Sequence, residues 1–176
     1  CSPTSAISAT DMRILFLTVA LVLALDQATK WGVVRGLNLL EMGEIDVLPP
    51  FLNFRMAWNR GINFGLFSNS ADLARWVLIL LALAISGWVL WWLHREKAGI
   101  LSMISGGLLI GGALGNVLDR LIYGAVADFI TMACCGFENP YSFNVADVAI
   151  FIGALGLVLF TGKNKSKPAP KPRKTP

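Results

Sequence analysis

Histidine is almost missing from this chain: among 176 residues there is one, His94. A catalytic metal needs several His, Cys or carboxylate ligands brought together, and a Ser/His/Asp triad needs a histidine beside its serine. His94 sits in a short basic turn, away from the acidic residues singled out below, so the sequence predicts no metal and no cofactor. Cysteine is also scarce. Cys134 and Cys135 are adjacent, where a disulfide would be strained, and with Cys1 they make no disulfide framework, so free thiols are expected. No P-loop and no GxGxxG in a strand–helix context occurs. Asp-Thr/Ser-Gly, the signature of soluble aspartic proteases, is absent, as is the Gly-x-Gly-Asp of presenilin-type proteases. Charged residues make up 15%, with a net charge of +4. The excess sits at the chain end, in Lys163, Lys165, Lys167, Lys171, Arg173 and Lys174, so it is no nucleic-acid footprint.

What the chain has in quantity is apolar length. It is 55% hydrophobic with a mean hydropathy of +0.63, too apolar for an ordinary soluble domain. Apolar runs cover Ile14 to Leu25, Trp76 to Leu93 and Ile100 to Leu118, and a fourth, Phe143 to Phe160, is broken only by Asn144 and Asp147. A helical membrane crossing takes about 20 residues, and the first run reaches that length by continuing to about Val34. Near-continuous runs lack the alternation of a barrel, and only helices or closed barrels satisfy their backbone in lipid. The expected fold class is therefore an all-α membrane protein with four transmembrane helices and a small β-rich extracytoplasmic part. The helices are expected at about 13–34 and 72–93, from near Gly99, and over the fourth run. Asp26, Gln27 and Lys30 follow the first run at once, with no small-residue cleavage site, which argues against a cleaved signal peptide.

Arg13, the Arg95/Lys97 turn and the basic tail fall on one side of this layout, which the positive-inside rule makes cytoplasmic. Residues 36–70 and 122–142 then face outward, with Arg55 and Arg60 as their only basic residues. Residues 1–11, ahead of "MRILFL", are expected to be a leader or upstream extension. The membrane unit is expected over 12–162, and a disordered cytoplasmic tail over 163–176 that touches anionic lipid head groups at most. Within 41–70, "FLNFRMAW" alternates Leu52, Phe54, Met56 and Trp58 with Asn53 and Arg55, the period of a half-buried strand. "GNVLDR" leads into a short outer segment that holds Asp128. Gly107, Gly111 and Gly115 recur at every fourth position, a spacing that permits close helix approach in lipid; with the 51–58 strand they are expected to shape a groove open to lipid.

Ionisable groups at membrane depth cost roughly 2.5–3.5 kcal/mol each on insertion scales, so each needs a partner or a purpose. Asp26 and Lys30 lie four apart on one helical face and are expected to pair. Asn116 and Arg120 share a face in the same way, with Asp119 nearby, and Arg120 pairing with a carboxylate is as reasonable as a direct role in chemistry. Asp128 and Asp147 have no basic residue within four positions. Both fall near the outer membrane boundary and can meet there. Two close carboxylates do not readily both ionise, so one would hold a proton beside a charged neighbour and activate a water. A solvated Asp128 and a helix-dipole role for Asp147 are the competing explanation.

In order along the chain, "DQATK" (26–30), "NRGINFG" (59–65), "GGALGNVLDR" (111–120), "VADFI" (126–130) and "FNVADVAIF" (143–151) resemble the motifs of the bacterial lipoprotein signal peptidases, signal peptidase II. The resemblance covers residues 13 to about 160. It implies four helices in the inner membrane, both termini cytoplasmic, and an outward β-rich cradle at 41–70. It also implies an intramembrane aspartic endopeptidase, without cofactor, that cuts prolipoproteins before a diacylglyceryl-modified cysteine, with prolipoproteins and membrane lipids as its partners. Carried over by motif, Asp128 and Asp147 are the catalytic pair. Asn59, Asn116 and Arg120 are expected to touch substrate, Asp26, Lys30 and Asp119 to give structural support, and Asn144 to help build the site. The Cys134/Cys135 loop matches no family motif. A small proton-coupled transporter is the alternative, but it would spread carboxylates through the membrane depth. A non-catalytic scaffold is a third, and would tolerate neutralising either aspartate.

Overall fold

The computed structural model describes residues 9–61, 71–96, 98–132 and 141–161. Cys134 and Cys135, the end of the "NRGINFG" motif and the tail lie outside the described residues. Five helices appear among the described residues: α1 (Ala9–Lys30), α2 (Leu39–Met42), α3 (Ala71–Glu96), α4 (Ile100–Tyr123) and α5 (Val145–Thr161). α1 begins ahead of Met12. It does not run on unchanged to Val34, because after Lys30 the chain loosens into a π-helical stretch, Trp31–Gly36, an irregularity found often near functional sites. Among the described residues, the helices long and apolar enough to cross a membrane are α3 from Asp72 and α4; α5 is a shorter apolar helix of 17 residues.

α4 is the centre of the packing. α1, α3 and α5 all lie against it, whereas α3 has no extensive contact with α5 among the described residues. Its glycines make this possible, since a methyl group at Gly107 would sit 2.9 Å from Leu15 O, and one at Gly111 3.0 Å from Val19 O. At Gly115 the same methyl would meet Asp26 Oδ2 at 2.6 Å. The stripe therefore seats α1, and does not line a lipid-facing groove as the spacing suggested. On the neighbouring face Gly112 accommodates Ala146 O, and a methyl at Gly153 of α5 would meet Ser105 O at 2.6 Å. Close approach of backbones supplies the attraction that water would otherwise drive. Outward-facing Leu17, Leu21, Leu80, Trp88, Phe151 and Val158 are exposed, as suits helices solvated by lipid.

Four antiparallel strands among the described residues form one sheet in the order β1-β2-β3-β4: β1 Glu44–Leu48, β2 Leu52–Asn59, β3 Val126–Met132 and β4 Ser142–Phe143. The alternating 51–58 stretch is β2, close to expectation. The segment after α4 is β3, where only a short outer connection was expected. Gly124 makes the turn possible: at φ +77° it ends α4, its N–H donating to Arg120 O at 3.1 Å, and glycine enters that conformation without a Cβ penalty. β3 then pairs along β2, with Ala57 opposite Asp128, and Phe54 meets Phe129 edge to face at 5.7 Å. β4 takes the first residue of the fourth apolar run, so α5 starts two residues later than the run does.

Candidate active site

The two VAD triplets arrive at one place by different routes. Asp128 rides on β3 and is 2% exposed. Asp147 stands in the first turn of α5, where Asn144 caps the helix. Asp147 N–H donates to Asn144 Oδ1 at 3.0 Å, and Asn144 N–H donates back to Asp147 Oδ2 at 3.3 Å. This reciprocal pairing is a capping box with an aspartate in the place of the usual glutamate. The helix-end role of Asp147 is thus real, and it leaves Oδ1 available.

Side-chain amides connect the two carboxylates. Asn144 Nδ2 donates to Asp128 Oδ1 at 2.6 Å and to Asn116 Oδ1 at 3.3 Å. Asn116 Nδ2 in turn donates to Asp147 Oδ1 at 2.8 Å. On the outer side Asn59 Nδ2 donates to Asp128 Oδ2 at 3.0 Å, its amide oriented by Gly61 N–H bonding to Asn59 Oδ1 at 2.9 Å. Neither aspartate forms an ion pair among the described residues. Burial above all pushes the Asp128 carboxyl up to about 6, and Asp147 adds to the rise. The amide donors and Lys30 pull the other way without cancelling it. A carboxyl near 6 that faces a second carboxylate can exchange a proton at physiological pH. Arg120 does not pair with either: its Nη1 donates to Asn116 O at 3.3 Å.

A second network lies beside the first. Lys30 Nζ bridges Asp26 Oδ2 at 2.8 Å and Asp119 Oδ2 at 2.7 Å, both aspartates being fully buried. The expected Asp26–Lys30 pair is present, enlarged by Asp119 from α4. Gln27 Nε2 spans the same two carboxylates, at 3.1 Å to Asp26 and 3.0 Å to Asp119. Both carboxylates also reach backbone: Asp26 through its other oxygen, Oδ1, which accepts from Ala146 N–H at 3.0 Å, and Asp119 through the same Oδ2 that meets Lys30, which accepts from Ala127 N–H at 3.1 Å. Gln27 was overlooked in the sequence although it stands inside "DQATK"; its place between Asp26 and Lys30 was the available signal. Asn59, Asn116, Arg120, Asn144 and Lys30, with Asp26, Asp119, Asp128 and Asp147, all belong to one of these networks or touch it.

An open groove of about 380 Å³ runs between α3, α4 and α5, walled by Leu78, Leu81, Ile85, Ala113 and Ile150, with Asn116 and Arg120 also in its lining. Residues 18–162 match the family described as Signal peptidase (SPase) II. The lipoprotein signal peptidase of Methylobacterium radiotolerans is 41% identical over 172 residues, covering 93% of this chain and 99% of that protein. That of Polynucleobacter necessarius is 39% identical over 152 residues, covering 86% and 90%. A solved structure titled as a bacterial membrane enzyme, obtained by the in meso method, superposes with a TM-score of 0.72 at 25% identity, covering 91% of this chain and 97% of that one. A second structure of similar title gives 0.70 at 26% identity, covering 94% and 97%.

Proposed function

The chain belongs to the signal peptidase II family, and from that membership we propose how its own residues cleave the substrate. As a lipoprotein signal peptidase it is an aspartic peptidase that removes signal peptides from prolipoproteins. Asp128 and Asp147 are its catalytic pair. In the reactive form Asp128, whose carboxyl is pushed up by burial, carries the proton, and Asp147 acts as the base. A water between them gives a proton to Asp147 and attacks the scissile carbonyl carbon while Asp128 protonates the carbonyl oxygen. In the tetrahedral intermediate Asp147 passes its proton to the departing nitrogen as the C–N bond breaks. The new carbonyl forms as a hydroxyl proton returns to Asp128.

The observation that carries this proposal is the amide chain from Asn59 through Asp128, Asn144 and Asn116 to Asp147. It holds both carboxylates in one site and gives neither a permanent cation. α1, α3, α4 and α5 are four transmembrane spans in the bacterial inner membrane, with both termini cytoplasmic and residues 12–162 as the peptidase unit. Arg13 and Arg95 at one end, and the sheet with Asp128 at the other, support that orientation. The groove between α3 and α5 accepts the substrate's own membrane helix, and its apolar walls suit the acyl chains of a diacylglyceryl-modified cysteine. Asn116 and Arg120 then face the peptide near the scissile bond, with Asn59 and Asn144 steadying Asp128. Asp128→Asn and Asp147→Asn, purified in detergent and given a diacylglyceryl-modified prolipoprotein, should each lose about 10³-fold in kcat. Wild-type turnover by either variant would remove the pair from the mechanism.

A further inference from the structure

The amides gripped by the second network are not scattered. Each belongs to the alanine immediately before a proposed catalytic aspartate: Ala127 before Asp128, and Ala146 before Asp147. Their acceptors, Asp119 and Asp26, are cross-linked to each other twice, by Lys30 and by Gln27. Apart from the half-buried Gln27 this is inside the protein, with Asp26, Asp119 and Ala146 fully buried and Ala127 at 3%. β4 pairs with β3 only at Ile130 and Thr131, so Ala127 relies on Asp119 where β4 does not reach. Ala146 is a first-turn residue of α5 whose N–H has no partner within its own helix; its partner comes from α1.

We infer that Asp26, Lys30, Gln27 and Asp119 form a spacer that fixes the distance between the two VAD triplets, and through it the gap between Asp128 and Asp147. The inference rests on the catalytic assignment above. Fixing the separation of two carboxylates fixes the separation of the two amides they hold, and each amide is one residue from a reacting side chain. Displacements near 1 Å at such a site cost on the order of 10²-fold in rate. These four are positioning residues, since none of them reaches the reacting atoms.

The chemistry of the two arms differs, and the difference makes the test sharp. Asp119 Oδ2 receives both Lys30 and Ala127. In Asp119→Asn the side-chain carbonyl can face the same two donors, and only the Gln27 link to residue 119 is given up, since Gln27 Nε2 stays on Asp26. Asp26 uses Oδ1 for Ala146 and Oδ2 for Lys30 and Gln27. An asparagine there has one acceptor oxygen for donors on two separate sides, Ala146 on one and Lys30 with Gln27 on the other, and must release one side.

Asp119→Ala is therefore expected to lower kcat at least tenfold with KM within about twofold of wild type, and Asp119→Asn to recover most of that loss. Asp26→Ala and Asp26→Asn should be about equally slow. Gly115→Ala, which crowds Asp26 without removing a polar group, should lower kcat in the same sense. Amide hydrogen exchange supplies a readout independent of cleavage: Ala127 should exchange faster in Asp119→Ala and Ala146 in Asp26→Ala or Gly115→Ala, in proteins that still melt cooperatively. Asp128→Asn, assayed alongside, reports on the catalytic pair itself. The inference is overturned if the alanine variants keep Ala127 and Ala146 protected, if their loss falls on KM, or if Asp119→Asn is as slow as Asp119→Ala.

Discussion

Two pairs of aspartates sit side by side in this protein and are treated in opposite ways. Asp26 and Asp119 share one lysine at 2.8 and 2.7 Å and are sealed from solvent. Among the described residues, the side chains that donate to Asp128 and Asp147 are all amides, from Asn59, Asn144 and Asn116. A buried cation shared by two carboxylates locks all three groups in place, because removing either partner strands a charge in a poor solvent. Amide donors orient a carboxylate and leave its charge uncompensated, so a neighbouring carboxylate and burial can push its proton affinity up. On the proposed assignment, fixed charge builds the frame and unfixed charge does the chemistry. The same residue type serves both purposes, and the partners decide which.

The largest way to break this contrast is to remove the shared cation. Lys30→Met leaves two buried carboxylates facing each other and should cost about 3–5 kcal/mol of stability, measured as unfolding in detergent. A loss under about 1 kcal/mol would mean that the ion pairs hold little.

Asp128 has its carboxyl raised from 3.8 to about 6, with Asp147 on α5, Arg120 on α4 and Lys30 on α1 as the charged groups around it. Between those values the folded state binds more protons than the unfolded one, so stability falls as pH rises through the window. The fall attributable to Asp128 is up to about 3 kcal/mol, at about 1.36 kcal/mol per unit. Asp128→Ala should flatten that part of the stability–pH curve; an unchanged curve would assign the dependence to another group.

A smaller effect should come from making the second pair resemble the first. Asn59→Lys places an ammonium where an amide donated to Asp128 Oδ2, favours the ionised form, and should cut kcat about tenfold by withdrawing the shared proton. Asn59→Gln, without the charge, should cost less, and equal losses in the two would make the charge irrelevant.

Much of the frame could be seen in the sequence, because a run of apolar residues is a local signal. The Asp26–Lys30 pair was visible too, as an i, i+4 spacing. Asp119 joining it was not, since nothing local says which distant helix will meet Lys30. The glycine stripe announced close packing without naming its partner, and it turned out to seat α1. β3 escaped because "VADFITM" is buried almost throughout, so the alternation that exposed β2 was absent. Asn144 three residues before Asp147 was a capping signature that went unused. The meeting of Asp128 with Asp147 could be argued only from topology; the amides that join them come from α4, from the cap of α5 and from β2, far apart in sequence.

The central claim is that Asp128 and Asp147 act as one catalytic unit, and a double-mutant cycle tests it most directly. With kcat measured on a diacylglyceryl-modified prolipoprotein for Asp128→Asn, Asp147→Asn and the double variant, the account predicts that the double variant is no slower than the slower single one, because either change already disables the shared proton. Losses that multiply, or a single variant that turns over like wild type, would contradict it.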